Sequence, residues 1–280
     1  MRKQALINLI LVLACILGLS LVLYPIIGTY INASTHSGIV SDYSDYTSNI
    51  SEEFQIQLDK AIEFNKKLLK RDNPYRLDAE LTKEYEETLD PFSNGIMGYI
   101  EIPELGSKLP IYHTVSDSVL SAGIGHLEWS SLPVGGESTH SVISGHRGLT
   151  GMELFNNLDQ LQIDDTFMIK VLNETLTYKV DQILVVEPND LDDLTVITGE
   201  DYCTLVTCTP YRINSHRLLV RGTRVIDNDA SAIRISSEAT QIDSLIVAPI
   251  IGVPVFLVIL AFMILDDKKK YGGGSIETSH

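Results

Sequence analysis

The chain contains only three cysteines and one tryptophan, and its 21 lysine and arginine residues are outnumbered by 37 aspartate and glutamate residues. The resulting formal charge of -16, without a basic stripe interleaved with aromatic residues, argues against binding to nucleic acid. No cluster of cysteine and histidine has the spacing of zinc ligands, and no glycine motif of a nucleotide-binding loop occurs. The sequence therefore predicts no cofactor, no metal site and no nucleic-acid partner.

Two long apolar runs lie near the ends of the 280-residue chain. The first extends from Ala5 to Ile27 and the second from Ile242 to Leu265, and each approaches the roughly 20 residues that cross a bilayer. A cleaved signal peptide is the alternative for the first run, because Arg2 and Lys3 precede it. Its apolar stretch is longer than that of a typical signal peptide, and no clear cleavage site follows it. We therefore expect two transmembrane helices.

The basic residues beside these two runs predict the orientation of the chain in the membrane. Arg2 and Lys3 flank the first run, and Lys268, Lys269 and Lys270 follow the second. By the positive-inside rule, both termini are then cytoplasmic and the region between the runs is outside the cell. That region has roughly 200 residues, enough for one compact domain with its own core.

Changes in composition and periodicity predict the organisation of the chain. Helical spacing of apolar residues indicates a helix from Ser51 to Lys70, followed by a short, acidic segment, helical or irregular, that ends before Asp90. From Ile96 onward, short β-branched runs punctuated by glycine and proline predict a closed or nearly closed β domain with short helical turns at Ser116–Ala122 and Met152–Leu158. The expected segments are a transmembrane anchor (1–28), a flexible juxtamembrane stalk (29–50), a helical region (51–95), the β domain (96–228), a linker (229–241), a second transmembrane helix (242–265) and a cytoplasmic tail (266–280).

The three cysteines differ in their expected roles. Cys15 lies within the first apolar run, where it serves as a small packing residue. Cys203 and Cys208 lie five residues apart in one extended segment, which separates them by about 16 Å. A disulfide tolerates at most about 7 Å between Cα atoms, and the two side chains also point to opposite faces. At least one free thiol is therefore expected in an exported domain, which indicates that its reactivity is used.

The surroundings of Cys208 favour a nucleophile. It ends the apolar run YCTLVTC, and Pro210 stops strand pairing just beyond it, so the thiol lies at the mouth of the sheet. If the run forms a hairpin with HRLLVRG, Arg217 lies near Cys208 and Arg221 lies about 13 Å further along. A guanidinium near a thiol favours the thiolate and can stabilise an oxyanion. Simple packing is the alternative for a cysteine at a strand end.

A cysteine nucleophile needs a proton-transfer partner, which is normally histidine. His146 lies between glycines immediately after an apolar strand, where a loop can carry an exposed side chain into a cleft. His36 lies in the predicted stalk and His216 faces away from the arginine, whereas His126 and His140 stay open as alternatives. The exported candidates are His36, His113, His126, His140, His146 and His216.

The segment TLVTCTPYRINSHRLLVRG, with VGGESTHSVISGHRGL upstream, resembles the signature segments of the sortases, membrane-anchored cysteine transpeptidases of Gram-positive bacteria. The resemblance extends from about Asp90 to Arg224. It implies a closed eight-stranded β-barrel in which Cys208 is the nucleophile, His146 the acid and base, and Arg217 the third member of the triad. Arg212 stands where many relatives have glycine, which leaves the preferred substrate sequence open.

Two further features resemble the pilin-polymerising branch of this family, class C. One is the second apolar run, and the other is the segment LDPFSNG just before the β domain. Its Asp90, Pro91 and Phe92 resemble the lid motif of that branch. The resemblance implies that Asp90 pairs with Arg217 while the Phe92 ring covers Cys208. A turn with one buried ring is the alternative for this segment.

The resemblance implies an enzyme that cleaves an LPXTG-like sorting motif through a thioacyl intermediate on Cys208 and transfers the product to a pilin lysine. The expected partners are pilin subunits and the plasma membrane of a Gram-positive bacterium, with the catalytic domain outside. Two alternatives stay open. One is a housekeeping sortase that anchors proteins to peptidoglycan, and the other is a non-catalytic, membrane-tethered binding module.

Overall fold

The computed structural model describes residues 2–48, 52–149 and 151–225, in two compact units. The first unit holds the described residues up to Tyr30, all within helix α1 (Arg2–Thr47). The stretch Leu13–Thr47 contains a window with a mean hydropathy of 2.0, long and apolar enough to cross a membrane. Its length and composition fit the predicted N-terminal span. The predicted linker, second span and tail (229–280) lie outside the described residues.

The second unit begins at Ile31, and its first element is the remainder of α1. The expectation of a flexible stalk at 29–50 is wrong in this respect, because the chain is helical as far as Thr47. The serine and threonine residues that suggested flexibility occupy mainly the exposed face. The other face packs on the β domain, which fixes the helix in place. Its buried residues recur every three or four positions and are His36, Val40, Tyr43 and Thr47.

Tyr43 attaches this helix to the β domain. Its side chain is buried, and its hydroxyl group donates a hydrogen bond to the carbonyl of Met97 at 2.9 Å. The same oxygen accepts a hydrogen bond from the backbone amide of Leu172 at 2.7 Å. Burial therefore raises the pKa of Tyr43 far above its ordinary value, so the group stays a neutral phenol. One side chain thus completes the backbone hydrogen bonding of two separate segments.

Two further helices precede the barrel, as predicted. Helix α2 (Glu52–Leu68) starts with two glutamates and ends with two lysines, which suits the helix dipole. Helix α3 (Ala79–Glu87) is capped by Asp78, whose carboxylate accepts a hydrogen bond from the amide of Leu81 at 2.8 Å. The buried face of α2 joins the main core through Phe54, Leu58, Ala61, Phe64 and Leu68.

Eight strands close into a barrel in the order β1-β2-β3-β4-β7-β8-β6-β5, which confirms the predicted closed eight-stranded barrel. The short helix α4 (Asp117–Leu120) matches one predicted helical turn, whereas no helix covers residues 152–157 and a 3₁₀ helix begins only at the last residue of the second predicted turn (Leu158–Gln160). The strands are β1 (Ile96–Ile102), β2 (Ser107–His113), β3 (Ile124–His126), β4 (Thr139–Gly145), β5 (Thr166–Val171), β6 (Glu174–Val186), β7 (Asp201–Thr209) and β8 (His216–Arg224).

Strand β7 is buried on both faces, which explains why its sequence is an apolar run without clear alternation. Its inward residues, Cys203 and Leu205, belong to the main core inside the barrel. Its outward residue Val206 belongs to a second apolar group that we call the outer cluster. The buried members of the outer cluster are Val142, Leu194, Val206 and Leu219, with Leu127, Trp129, Leu184, Val186 and Leu191 packed against them.

Candidate active site

The hairpin of β7 and β8 places Cys208 directly opposite Arg217, as the sequence predicted. Directly opposed residues of an antiparallel pair project from the same face, with Cβ atoms about 4.5–5.5 Å apart. Thr204 is likewise opposite Arg221, further from the strand end. The sheet thus provides one guanidinium beside the thiol and a second one along the same face.

The parallel pairing of β4 with β7 brings His146 to the same place. Ser144 is in register with Val206. Two residues further along the chain from each lie His146, one residue beyond the end of β4, and Cys208, still within β7. The hydroxyl of Thr207 also donates a hydrogen bond to the carbonyl of Gly145 at 2.8 Å, so the two chains stay together beyond the regular pairing. Neighbouring strands lie about 4.8 Å apart, and side chains at equal register share a face. The register therefore brings His146, just beyond the end of β4, to the strand end that carries Cys208.

Gly145 is required where β4 ends and the His146 loop begins. A Cβ atom at this position would approach the Cγ2 atom of Ile124 and the ring of Phe155 to 2.8 Å. Such contacts are too short for any larger side chain. The close packing fixes the direction in which the chain leaves the strand, and with it the position of the next residue, His146.

The two histidines left open by the sequence are structural. His126 is fully buried, its Nε2 atom lies 2.8 Å from the carbonyl oxygen of Ser131, and burial lowers its pKa to about 3. His140 is also buried and has a lowered pKa because of burial. Its ring nitrogens lie 2.9 Å from the carbonyl oxygen of Thr195 and 2.7 Å from the hydroxyl of Thr204. Both rings are neutral, and their nitrogen atoms are already hydrogen-bonded within the protein. Neither ring therefore suits proton transfer with a cysteine nucleophile.

The other candidate histidines are engaged as well. His36 on α1 lies 2.9 Å from the carbonyl oxygen of Ala122. His113 is buried, with one ring nitrogen 2.8 Å from the carbonyl oxygen of Thr88. His216 is adjacent to Arg217 in β8 and therefore points to the opposite face of the sheet, where it contacts Ser215 and Glu187. Within the described part of the chain, the half-buried ring of His146 has no hydrogen-bond partner, which leaves it available for chemistry.

The two cysteines of β7 have opposite environments, as their positions in the sequence predicted. Cys203 has no exposed surface, and burial raises its pKa well above the ordinary value, so its thiol is inert. Cys208 is a free, half-buried cysteine at the strand end. Arg217 opposite it donates hydrogen bonds only to the carbonyls of Asn214 and His216, and it forms no ion pair with the carboxylates of the described residues. Its charge is therefore available to a substrate.

The structure does not bring the predicted lid residues to Cys208. Phe92 packs on strand β1 and helix α1, with its ring centroid 5.7 Å from that of Tyr43 and 4.7 Å from that of Tyr46. Strand β1 lies between β2 and β5, whereas β7 lies between β4 and β8 on the far side of the closed barrel. The Phe92 ring therefore does not cover Cys208, in contrast to the prediction. The ring finds an aromatic partner on α1, in the segment expected to be a flexible stalk.

The carboxylate of Asp90 is likewise engaged within its own turn. One of its oxygens accepts hydrogen bonds from the backbone amides of Asn94 and Gly95, both at 3.0 Å. Among the described residues, it forms no ion pair with Arg217. Asp90 and Pro91 thus belong to the turn that leads into β1. This arrangement matches the alternative given for this segment, a turn with one buried ring.

We expect that the double substitution Asp90→Ala and Phe92→Ala leaves the reaction of Cys208 with a small thiol reagent within about twofold of wild type. It should instead lower the free energy of unfolding by about 1–3 kcal/mol, because an apolar ring and two capped amides lose their partners. The measurements are the second-order rate of thiol modification and denaturant unfolding. A large rise in the modification rate at unchanged stability would restore the lid interpretation.

A different segment reaches the face of the sheet that carries Cys208. It is the connection between α2 and α3, where the Tyr75 ring lies edge-on to Trp129 with centroids 5.3 Å apart. Arg71 also donates a hydrogen bond to the carbonyl of Trp129 at 2.8 Å. Trp129 in turn packs against the outer cluster that includes Val206. The helical spacing predicted only that a helix ends at Lys70, and the sequence Asn73-Pro74-Tyr75 was the available signal for a turn beyond it.

The comparisons with known proteins agree with this geometry. A family model described as Sortase domain matches residues 100–225. Sortase C1 from Streptococcus agalactiae is 47% identical, with 68% of this chain and 98% of that chain covered and a TM-score of 0.65. Sortase C from Streptococcus pneumoniae is 40% identical, with coverages of 68% and 97% and a TM-score of 0.60. Clostridium perfringens sortase C, solved with the C-terminal cell wall sorting motif, is 40% identical, with coverages of 68% and 99% and a TM-score of 0.60.

A closed barrel that presents a cysteine, a histidine and an arginine at neighbouring strand ends has the site of an enzyme with a cysteine nucleophile. The similarity to solved structures is high enough in identity and coverage to assign the family. The chain belongs to the sortase family, and within it to class C. It spans about half the length of the curated relatives it matches.

Proposed function

We propose that the protein is a membrane-anchored sortase that cleaves an LPXTG-like sorting motif and joins it to a lysine amine of a pilin, thereby polymerising pili. The observation that carries this proposal is the position of Cys208, opposite Arg217 and in line with His146. The solved relatives support the substrate class. The work on S. pneumoniae sortase C concerns pilin substrate specificity, and the C. perfringens structure includes a sorting motif.

The first acyl transfer cleaves the sorting motif. The Cys208 thiolate attacks the carbonyl carbon of the motif's threonine, and the carbonyl oxygen becomes an oxyanion that the Arg217 guanidinium stabilises. The protonated imidazole of His146 then gives its proton to the departing amine. A carbon–sulfur bond has formed and a carbon–nitrogen bond has broken, which leaves a thioacyl enzyme and a neutral imidazole.

The second acyl transfer restores the enzyme. A lysine amine of the acceptor attacks the thioacyl carbon, and the neutral imidazole of His146 takes up the proton that the amine loses. The carbon–sulfur bond breaks as the new amide forms, and Cys208 leaves as a thiolate. The thiolate and imidazolium that began the cycle are thus regenerated. Splitting one amide exchange into two steps through a good leaving group is the benefit of covalent catalysis.

The proposed location is the plasma membrane of a Gram-positive bacterium, with the catalytic domain outside. The apolar stretch of α1 and the basic residues Arg2 and Lys3 before it support an N-terminal span with a cytoplasmic start. In intact protoplasts, external protease should digest residues 31–225 and leave the N-terminal tail protected. Protection of the central domain would contradict this orientation.

The test of the activity uses the full chain in detergent micelles, mixed with candidate pilins that carry a sorting motif. We expect a ladder of covalent pilin multimers that forms with the wild-type chain and not with Cys208→Ala. Transfer of the motif to a peptidoglycan-type amine, without a pilin ladder, would favour the housekeeping alternative. Binding of the motif without cleavage would favour a non-catalytic module.

A further inference from the structure

Arg147 follows His146 directly in the chain, and its side chain is only 8% exposed. A charged side chain is rarely buried to this extent unless its donors are bound, because desolvation of the charge is costly. The proposed acyl transfers give this residue no role. Its burial beside His146 therefore has to be explained by its contacts.

The guanidinium of Arg147 contacts two separate segments of the chain, at residues 156–159 and 209–211. Its Nε atom donates a hydrogen bond to the carbonyl of Asn156 at 3.0 Å, and its Nη2 atom pairs with the carboxylate of Asp159 in the 3₁₀ helix. Its Nη1 atom lies 3.4 Å from the hydroxyl oxygen of Thr209, the residue after Cys208. The guanidinium carbon is also 5.7 Å from the centroid of the Tyr211 ring. One side chain thus connects the His146 loop to the loop that follows Cys208.

The backbone around Arg147 reinforces the same connection. The amide of Gly148 donates a hydrogen bond to the side-chain oxygen of Asn156 at 2.7 Å. Gly148 has a φ of +87°, and a Cβ atom there would lie 3.4 Å from the Tyr211 ring. The side-chain amide of Asn156 also donates a hydrogen bond to the carbonyl of Met152 at 3.0 Å. The His146 loop is therefore closed on itself and packed against Tyr211.

We propose that Arg147 is a positioning residue, which holds the His146 loop against the loop that follows Cys208. The separation between the imidazole and the thiol then stays constant through both acyl transfers. This inference rests on the proposed function. The ring of His146 has no hydrogen-bond partner among the described residues, so its position depends on its backbone. That backbone is held by the neighbouring Arg147. A lysine lacks the planar set of donors that reaches several acceptors at once, so it cannot replace the arginine fully.

The variants Arg147→Met and Arg147→Lys test the proposal in the full chain with a fluorogenic sorting peptide. Misplacement of a catalytic group by about 1 Å costs up to about a hundredfold in rate. We expect Arg147→Met to lower kcat by roughly 10- to 100-fold with KM within about threefold, and Arg147→Lys to recover part of that loss. The pH dependence of Cys208 alkylation should also shift towards higher pH, because a more distant imidazolium stabilises the thiolate less.

Arg212→Met is the matched control. The Arg212 guanidinium also lies beside the Tyr211 ring, with its carbon 5.5 Å from the centroid, but it makes none of the hydrogen bonds of Arg147. We expect this variant to keep kcat within about twofold and to leave the alkylation profile unchanged. An equal loss of kcat in the two methionine variants would overturn the proposal, because the effect would then belong to Tyr211 packing alone.

Thr209→Val by itself tests the proposal if Arg147→Met unfolds, because an unchanged kcat in this variant would overturn it; if Arg147→Met folds, the two variants form a double-mutant cycle. Thr209→Val removes only the hydroxyl that faces Arg147, and it should lower kcat while the melting temperature stays unchanged. Combined with Arg147→Met, its effect should largely disappear, because the two groups act on one contact. Additive losses, or a kcat within twofold of wild type in Arg147→Met, would overturn the inference. If Cys208→Ala keeps its turnover, it is the proposed function that fails.

Discussion

We expect Cys208→Ala to eliminate the thioacyl enzyme and Cys203→Ala to retain most of the turnover. The reason is the alternation of β7, which directs Cys208 outwards at the strand end and Cys203 into the barrel core. The loss of turnover should reach the detection limit, since no other described cysteine lies on this face of the sheet. The measurement is intact-protein mass spectrometry after incubation with a sorting peptide, in which only a chain with Cys208 gains the mass of the acyl group.

Cys203→Ala is the matched control because it removes the same atoms from the same strand. Its cost should appear in stability, since a fully buried side chain is shortened and a small cavity remains. Equal loss of acyl-enzyme in both variants, at temperatures where both are folded, would contradict the assignment of the nucleophile.

We expect Arg217→Ala to lower kcat/KM for the sorting peptide by about 10²–10³-fold, which corresponds to about 2.7–4 kcal/mol of transition-state stabilisation. Arg217 lies directly opposite Cys208 and has no carboxylate partner among the described residues, so its charge can serve the developing oxyanion. The loss should appear mainly in kcat, because the negative charge exists in the transition state and not in the bound peptide. Steady-state kinetics with one fluorogenic peptide measures both parameters.

Arg221→Ala provides the comparison on the same face of the same strand. Arg221 lies opposite Thr204, and it is paired with Asp181 at 2.8 Å and stacked 4.3 Å from the centroid of the Tyr202 ring. Its charge is thus already used within the protein, and its loss should change kcat by no more than about threefold. A similar loss of kcat in both variants would show a general effect of positive charge and would remove Arg217 from the catalytic machinery.

The local part of the site could be predicted from the sequence. Pro210 marks the end of pairing, and the two-residue period then places Arg217 and Cys208 on one face of a hairpin. The relation between His146 and Cys208 could not be derived in this way. It depends on the parallel pairing of β4 with β7, which are far apart in the chain, and only the resemblance to sortases indicated it.

The position of the Asp-Pro-Phe turn could not be predicted for a related reason. A motif of this kind indicates a turn and one buried ring, but it does not say which side of a barrel the ring packs on. The partners of Phe92 are Tyr43 and Tyr46, and both lie in a segment whose composition suggested a flexible stalk. Apolar residues spaced three or four apart within a polar helix were the available signal, and the serine content concealed it.

The docking of Tyr43 decides where the domain can be cut for work in solution. A fragment that begins at Ile31 keeps the phenol that satisfies Met97 and Leu172, whereas one that begins at Glu52 leaves both backbone groups to water. The shorter fragment also uncovers the ring of Phe92, so that apolar surface on β1 becomes exposed and prone to self-association. The part of α1 that begins at Ile31 therefore belongs to the folded domain. On heating, fragments that lack it should aggregate at a lower temperature than fragments that keep it.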